Sequence, residues 1–281
     1  MDLRSQMDEC LILRSREFQE ADRLLTVLGR RLGRLSCLAR GVRRPNSRLK
    51  AATLDFSYSK LQFAPAGRKA ANAAGASSGL QLITQGEALD GLPGLREDLS
   101  KLGCAYYLGE LLTLALPENK PQENIFILAV TTLTLLANLT TEQEQFLVLK
   151  FFELRLLGEL GWRPNLTVCS RCGRPVRLPR ISGLPDVFVA APALGGLACP
   201  LCCLDLDWSI GRGKSERPGL SRGCLRLLDS LLNWELRPLL KLRISTELRQ
   251  EVNACIWALL DYHLGPGAGK ARRNLQVYYD I

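Results

Sequence analysis

The chain contains ten cysteines in 281 residues, and four of them form two pairs of one pattern. These are "VCSRCGRP", with Cys169 and Cys172, and "ACPLCC", with Cys199 and Cys202. A Cys-x-x-Cys turn offers two thiolates to one edge of a metal, and two such turns close a tetrahedral shell with Zn–S bonds of about 2.3 Å. Gly173, directly after the second thiol, suits a turn that aims backbone N–H groups at the sulfurs. The 26 residues between the pairs exceed the commonest zinc spacing, but they include "PDVFVAAPALGG", which suits a hairpin that brings the pairs together. Four thiolates leave no open coordination position. The expected ion, one structural Zn2+, therefore staples an irregular segment and does not activate water. The rival chemistry is a dithiol oxidoreductase. It needs one Cys-x-x-Cys at a helix start after a strand, and it leaves the second pair unexplained. Cys203 is a substitute ligand or a bystander, and Cys10, Cys37, Cys104, Cys224 and Cys255 read as buried free thiols.

A second chemistry is carried by charge. "RLSCLARGVRRPNSRLK", residues 34 to 50, holds six cations and no acid. Extended back to Arg30, the run reaches eight cations (Arg30, Arg31, Arg34, Arg40, Arg43, Arg44, Arg48 and Lys50), so the net charge of +9 leaves only +1 for the other 260 residues. Charge packed so tightly creates a local field that seeks a polyanion, and arginine grips phosphate with a planar fork. The bland alternative is a solvated loop. Aromatic residues make up only 6% of the chain, so any base-stacking platform is small. Phe56 and Tyr58 lie two apart on an apparent strand, where burial in a core competes with stacking on bases.

Enzymatic constellations are not evident. "WSIGRGKS" (208 to 215) ends like a phosphate-binding loop but has Trp208 where that loop needs glycine. His263 is the single histidine, and nothing beside it suggests a nucleophile or a relay, so it reads as structural. Asp205 and Asp207 alone do not make a two-metal site. The amino terminus has scattered charges and no apolar core, which predicts no signal peptide. "IFILAVTTLTLLANL" (125 to 139) is too short and too polar to span a bilayer. A cytoplasmic chain is expected, in which metal binding or burial accounts for cysteines better than disulfides do.

The elements that must position these groups follow from periodicity. Residues 10–18, 22–30, 33–40, 53–63 and 80–89 read as five short strands, with "GRRLG" (29 to 33) as a hairpin connection, and suit a small barrel. Residues 64–79, "APAGRKAANAAGASSG", read as a flexible excursion between the last two strands. Helices are expected over 95–116 and 122–139, and a third after Thr141, whose pairing with Glu144 has the form of a capping box. Residues 162–210 are broken by Pro, Gly and Cys. Helical patterning returns at about 218–235 and 246–264, and the tail from residue 265 reads as loose.

The order of these features resembles the bacterial RecO family of recombination mediators. "EFQEADRLLTVLGRRLGRLSCLARGVRRPNSRLK" is similar to that family's N-terminal signature, and "GLPGLREDL", "FELRLLGELGWRPNLTVCSRCGRP" and "GGLACPLC" resemble its helical and zinc segments, in order from about residue 10 to 265. The resemblance implies an α+β chain: an N-terminal OB-fold β-barrel over residues 1–90, then an all-α domain (91–161 and 211–281) interrupted by a four-cysteine zinc module at 162–210. It implies a non-enzymatic role in DNA repair: binding single- and double-stranded DNA, annealing complementary strands and helping to load RecA. Its implied partners are RecR and the acidic C-terminal tail of single-stranded DNA-binding protein, at the nucleoid. On this reading Arg40, Arg43, Arg44, Arg48 and Lys50 contact phosphates, with Arg34, Arg68 and Lys69 as outer members. A zinc-stapled RNA-binding or ribosome-associated factor is the alternative, because the same patch serves either polymer.

Overall fold

The computed structural model describes residues 6–67, 79–176, 188–204, 219–233 and 235–276. The chain divides into two compact units, one ending at Leu139 and the other running from Thr140 to Gln276. The first unit holds β1 (Gln6–Phe18), β2 (Asp22–Gly29), β3 (Gly33–Ala39), β4 (Tyr58–Pro65), β5 (Gln81–Asp90), α1 (Leu99–Ala115) and α2 (Glu123–Asn138). The sequence groups α1 and α2 with the later helices, whereas contacts place them with the barrel.

The five strands form a closed barrel in the order β1-β2-β3-β5-β4. All pairs are antiparallel except β3 with β5, whose short parallel register (Cys37 with Gln81, Leu38 with Leu82) completes the closure. The long β1 makes this possible by pairing β4 with its first half and β2 with its second, across an irregularity between Ile12 and Arg14. Alternation sends Cys10, Ile12, Leu25, Val27, Leu35 and Cys37 into the core with Leu61, Phe63 and Ile83. Burial raises the thiols of Cys10 and Cys37 well above their ordinary range, so both act as small apolar fillers.

The fourth strand starts later than its sequence suggests. A 3-10 turn at Ala51–Thr53 precedes it, and Phe56 stands in a left-handed turn with φ 63°. Phe56 is therefore not on the strand. It is buried, with its ring edge-on to Tyr106 at 4.9 Å. Tyr58 is half-buried, and its hydroxyl donates to Glu9 at 2.7 Å. Neither ring is an open stacking platform.

The second unit contains α3 (Glu142–Glu159), β6 (Asn165–Cys169), β7 (Val189–Ala191), β8 (Gly196–Ala198), α4 (Pro200–Leu204), α5 (Arg222–Asn233), α6 (Leu236–Leu239), α7 (Thr246–Leu264) and α8 (Pro266–Gln276). The capping box forms: the Thr141 hydroxyl accepts from the Glu144 N–H at 3.3 Å, and Glu144 accepts the Thr141 N–H at 3.1 Å. Within α3, Lys150 and Glu153 are paired at 2.7 Å with almost no exposure, and the ammonium also faces the rings of Phe146 and Trp257. Residues 266–276, read from sequence as a loose tail, are helical. Pro266 starts α8, where its missing N–H costs nothing, and Ala268, Ala271 and Leu275 share a buried stripe. Arg272 fastens the helix to Asp261 at 2.8 Å and stacks over Trp257.

Candidate nucleic-acid interface and metal centre

The basic segment joins β3 to β4, and its apolar residues dictate how it lies. Val42 and Ala52 are buried in the barrel core, and Leu49 packs against that core. Successive turns link these anchors, with N–H groups of Arg44, Ser47 and Lys50 closing onto the carbonyls of Gly41, Arg44 and Ser47. The charged residues between the anchors then have only one direction open to them. Arg40, Arg43, Arg44, Arg48 and Lys50 are all exposed.

The segment's cations divide into two groups, a division that the linear sequence hides. Acids from distant positions pair with Arg30 (Glu9 at 3.3 Å and Glu123 at 2.8 Å), Arg31 (Asp8, 3.4 Å), Arg34 (Glu118, 3.3 Å) and Arg43 (Glu17, 3.1 Å). Arg34 is the most deeply held: its side chain is 18% exposed, and its Nε also donates to the Leu116 carbonyl at 2.8 Å. Arg43 acts as an anchor. Its backbone N–H donates to the Ala21 carbonyl at 2.9 Å and its guanidinium to that of Glu20 at 3.2 Å, which ties the segment to the β1–β2 turn. Among the described residues, Arg40, Arg44, Arg48 and Lys50 form no ion pair. Arg68 and Lys69 lie outside the described residues. So do Asp205, Asp207 and the 208–215 stretch; no side chain of Cys203 is described either.

The other end of β3 is closed by the connection between α1 and α2. Glu118 accepts from Arg34 and from the Ser36 hydroxyl (2.9 Å), and the Asn119 N–H donates to the Arg34 carbonyl at 2.9 Å. Gly33, with φ 75°, is required here, because a Cβ would overlap the Lys120 backbone. The adjoining β2–β3 turn is organised by Asp8. Its buried carboxylate accepts the N–H groups of Glu9, Arg31 and Leu32 at 2.9–3.0 Å.

The two cysteine pairs converge in the second unit. The expected hairpin exists, with Val189 opposite Ala198 and Ala191 opposite Gly196, and it delivers Cys199 beside the end of β6. The four sulfurs of Cys169, Cys172, Cys199 and Cys202 all lie within 4.8 Å of one another. Cys172 Sγ and Cys199 Sγ are 3.8 Å apart, the edge of about 3.8 Å expected for a tetrahedron with metal–sulfur bonds of about 2.3 Å, and far beyond a disulfide bond. Gly173 adopts φ 72°, but its N–H closes the turn onto the Cys169 carbonyl at 2.9 Å. The amides aimed at sulfur belong to other residues. Burial pushes the Cys169 thiol up, yet N–H groups of Cys199, Cys172 and Arg171 outweigh it and bring the thiol down to about 6. Cys202 is pushed up to about 12, first by burial and then by hydrogen bonds shared with Cys172, Cys199 and Cys169. A readily ionised Cys169 beside a Cys202 that resists ionising suits one metal cation, whose charge would offset the repulsion among clustered thiolates.

His263 takes no part in either site. It stacks on Trp162 with ring centroids 4.6 Å apart, and burial holds its imidazole below the usual range.

A closed five-stranded barrel with exposed arginines on its β3–β4 segment defines an OB-like architecture, and the second unit brings together four cysteines that could hold one metal ion. Comparison with known proteins makes this specific. Family profiles described as "Recombination protein O N terminal" and "Recombination protein O C terminal" match residues 3–91 and 96–273, so the chain belongs to the RecO family. Proteins named DNA repair protein RecO are similar along nearly all of it. The one from Desulforamulus reducens is 31% identical over 91% of this chain and 88% of its own length. Those from Symbiobacterium thermophilum and Moorella thermoacetica are 34% and 33% identical, over 89% and 91% of this chain and 88% and 85% of their own lengths. Among the described residues no helix is long and apolar enough to cross a membrane.

Proposed function

We propose that this chain is a non-enzymatic mediator of DNA repair and recombination. It binds single- and double-stranded DNA without reading sequence, anneals complementary strands, and with RecR helps to load RecA onto strands coated by single-stranded DNA-binding protein. The acidic C-terminal tail of that coating protein docks on the helical unit. The chain works in the cytoplasm, at the nucleoid. The observation that carries this reading is the quartet Arg40, Arg44, Arg48 and Lys50, held outward by buried Val42 and Ala52 and free of ion pairs among the described residues. The names of the relatives favour DNA over RNA.

Annealing needs no covalent chemistry on this account. Two polyanions repel, and a cationic surface that accepts either strand lowers the barrier to their meeting. The metal is zinc: four thiolates make a closed, soft, tetrahedral shell that suits it, and such an ion supplies folding energy.

The test is annealing of complementary strands coated with their binding protein, followed across salt. Arg44→Ala/Arg48→Ala is a cleaner variant than one that includes Arg43, whose loss also unfastens the segment from Glu17 and Glu20. The variant should anneal several-fold more slowly, and its binding to a single strand should lose about 0.7 of log–log salt slope per missing contact. Annealing at the unaltered rate would overturn the reading, and preferential binding of RNA over DNA of equal length would favour the RNA-binding alternative.

A further inference from the structure

The outer surface of the barrel carries two arginines that lie outside the basic segment. Directly opposed residues of an antiparallel pair share a face. The register sets Arg14 beside Thr26 and Thr26 beside Ser36; two residues further along β1, it sets Arg16 beside Leu24 and Leu24 beside Leu38. Ser15, between the two arginines, pairs with Leu25 of the core, so Arg14 and Arg16 point away from it. Both are exposed, and among the described residues neither forms an ion pair.

Small oligonucleotide-binding barrels ordinarily offer the outer face of β2 and β3 to their ligand. Here that face is already covered. Leu24, Leu38 and Leu80 are buried together against Phe18, Ala66 and Leu82. Leu28 is buried, the Ser36 hydroxyl is engaged by Glu118, and the backbone at Asn119 and Lys120 lies against the start of β3. Glu118 also leaves a carboxylate at that edge, which would repel a phosphate.

Along β1, Leu11 and Leu13 are buried and α1 lies against the Leu13 carbonyl near Gly109, so the open stretch is the exposed pair Arg14 and Arg16. Same-face neighbours on a strand stand about 6.6–6.8 Å apart, a spacing compatible with successive phosphates of an extended single strand. The strand leads to the β1–β2 turn, to which Arg43 ties the basic segment. Of the acids there, Glu17 is paired with Arg43 and Asp22 accepts the Gly41 N–H at 2.8 Å. Glu20 is exposed on the turn itself, so a path from Arg16 to Arg40 and Arg44 passes beside the turn.

We infer that a single strand held by the basic segment continues along β1 over Arg14 and Arg16 and does not cross β2 and β3. This rests on the nucleic-acid reading above. The test is fluorescence anisotropy of a labelled mixed-sequence single-stranded DNA with the full chain, titrated across salt. Arg14→Ala/Arg16→Ala should bind several-fold more weakly, with a log–log slope shallower by about 1.4, at about 0.7 per contact. Arg14→Lys/Arg16→Lys should keep most of the slope. A normal slope in the Arg14/Arg16 alanine pair together with a shallower one in Arg44→Ala/Arg48→Ala would overturn the β1 path and leave the parent reading standing. Normal slopes in both would overturn the parent reading as well. Should alanine lower the thermal midpoint, Arg14→Gln/Arg16→Gln measured below both midpoints gives the same readout.

Discussion

Arg43 and Arg44 are neighbours with one charge each, and the structure separates their roles. The Arg43 side chain bridges to Glu17, whereas Arg44 is exposed without an acid partner among the described residues. Identity and position in the sequence do not distinguish them, because the acid that selects Arg43 lies 26 residues away. His263 makes a similar point. From sequence it reads as structural for lack of catalytic neighbours, and its stack on Trp162 links two distant stretches of the second unit's sequence, which spacing does not reveal. Burial holds that imidazole below its ordinary 6.5, so the folded state binds fewer protons than the unfolded chain. The corresponding stability is fully present above about pH 6.5 and is lost as pH falls through the lower folded value. Urea midpoints of the second unit should decline on acidification below that pH, and His263→Phe, which keeps a ring on Trp162, should flatten the decline. An equal decline in the variant would show that other groups carry it.

At the scale of elements, the strands, the capping box at Thr141 and the hairpin between the cysteine pairs were legible because each depends on local alternation, spacing or turn chemistry. The late start of β4 and the helical tail were not. Phe56 leaves the strand in a left-handed turn that the Ser57 N–H closes onto the Leu54 carbonyl, and α8 is stabilised by a buried stripe and by Asp261, neither visible as a strong local pattern. The β2–β3 turn depends on a residue of another strand, Asp8, whose carboxylate is 1% exposed and accepts three backbone N–H groups. Asp8→Ala leaves those donors without it. A loss of about 3 kcal/mol is expected from charged hydrogen bonds of this kind, measured by urea unfolding of the first unit. An unchanged midpoint would mean that water replaces the carboxylate at no cost.

At the scale of the molecule, the two candidate sites fall on separate units: the exposed cations of the basic segment on the first and the four clustered cysteines on the second. Stripping the metal with a strong chelator should lower the thermal midpoint of the second unit and expose the four thiols of Cys169, Cys172, Cys199 and Cys202 to a thiol reagent. Single-strand affinity of the barrel should persist at temperatures below that transition. A metal assay should return one ion per chain, and a chelated protein with an unchanged midpoint and unreactive thiols would remove the structural role.

Sequence alone determined the kind and order of most elements, the two cysteine pairs and the location of the cationic run, because alternation, helical spacing, Cys-x-x-Cys turns and charge density are short-range properties of a chain. Only the tertiary structure decided which cations remain available. Carboxylates at positions 8, 9, 17, 118 and 123 reach the run across the closed barrel and its helices, and an ion pair depends on distance in space, which residue separation does not report.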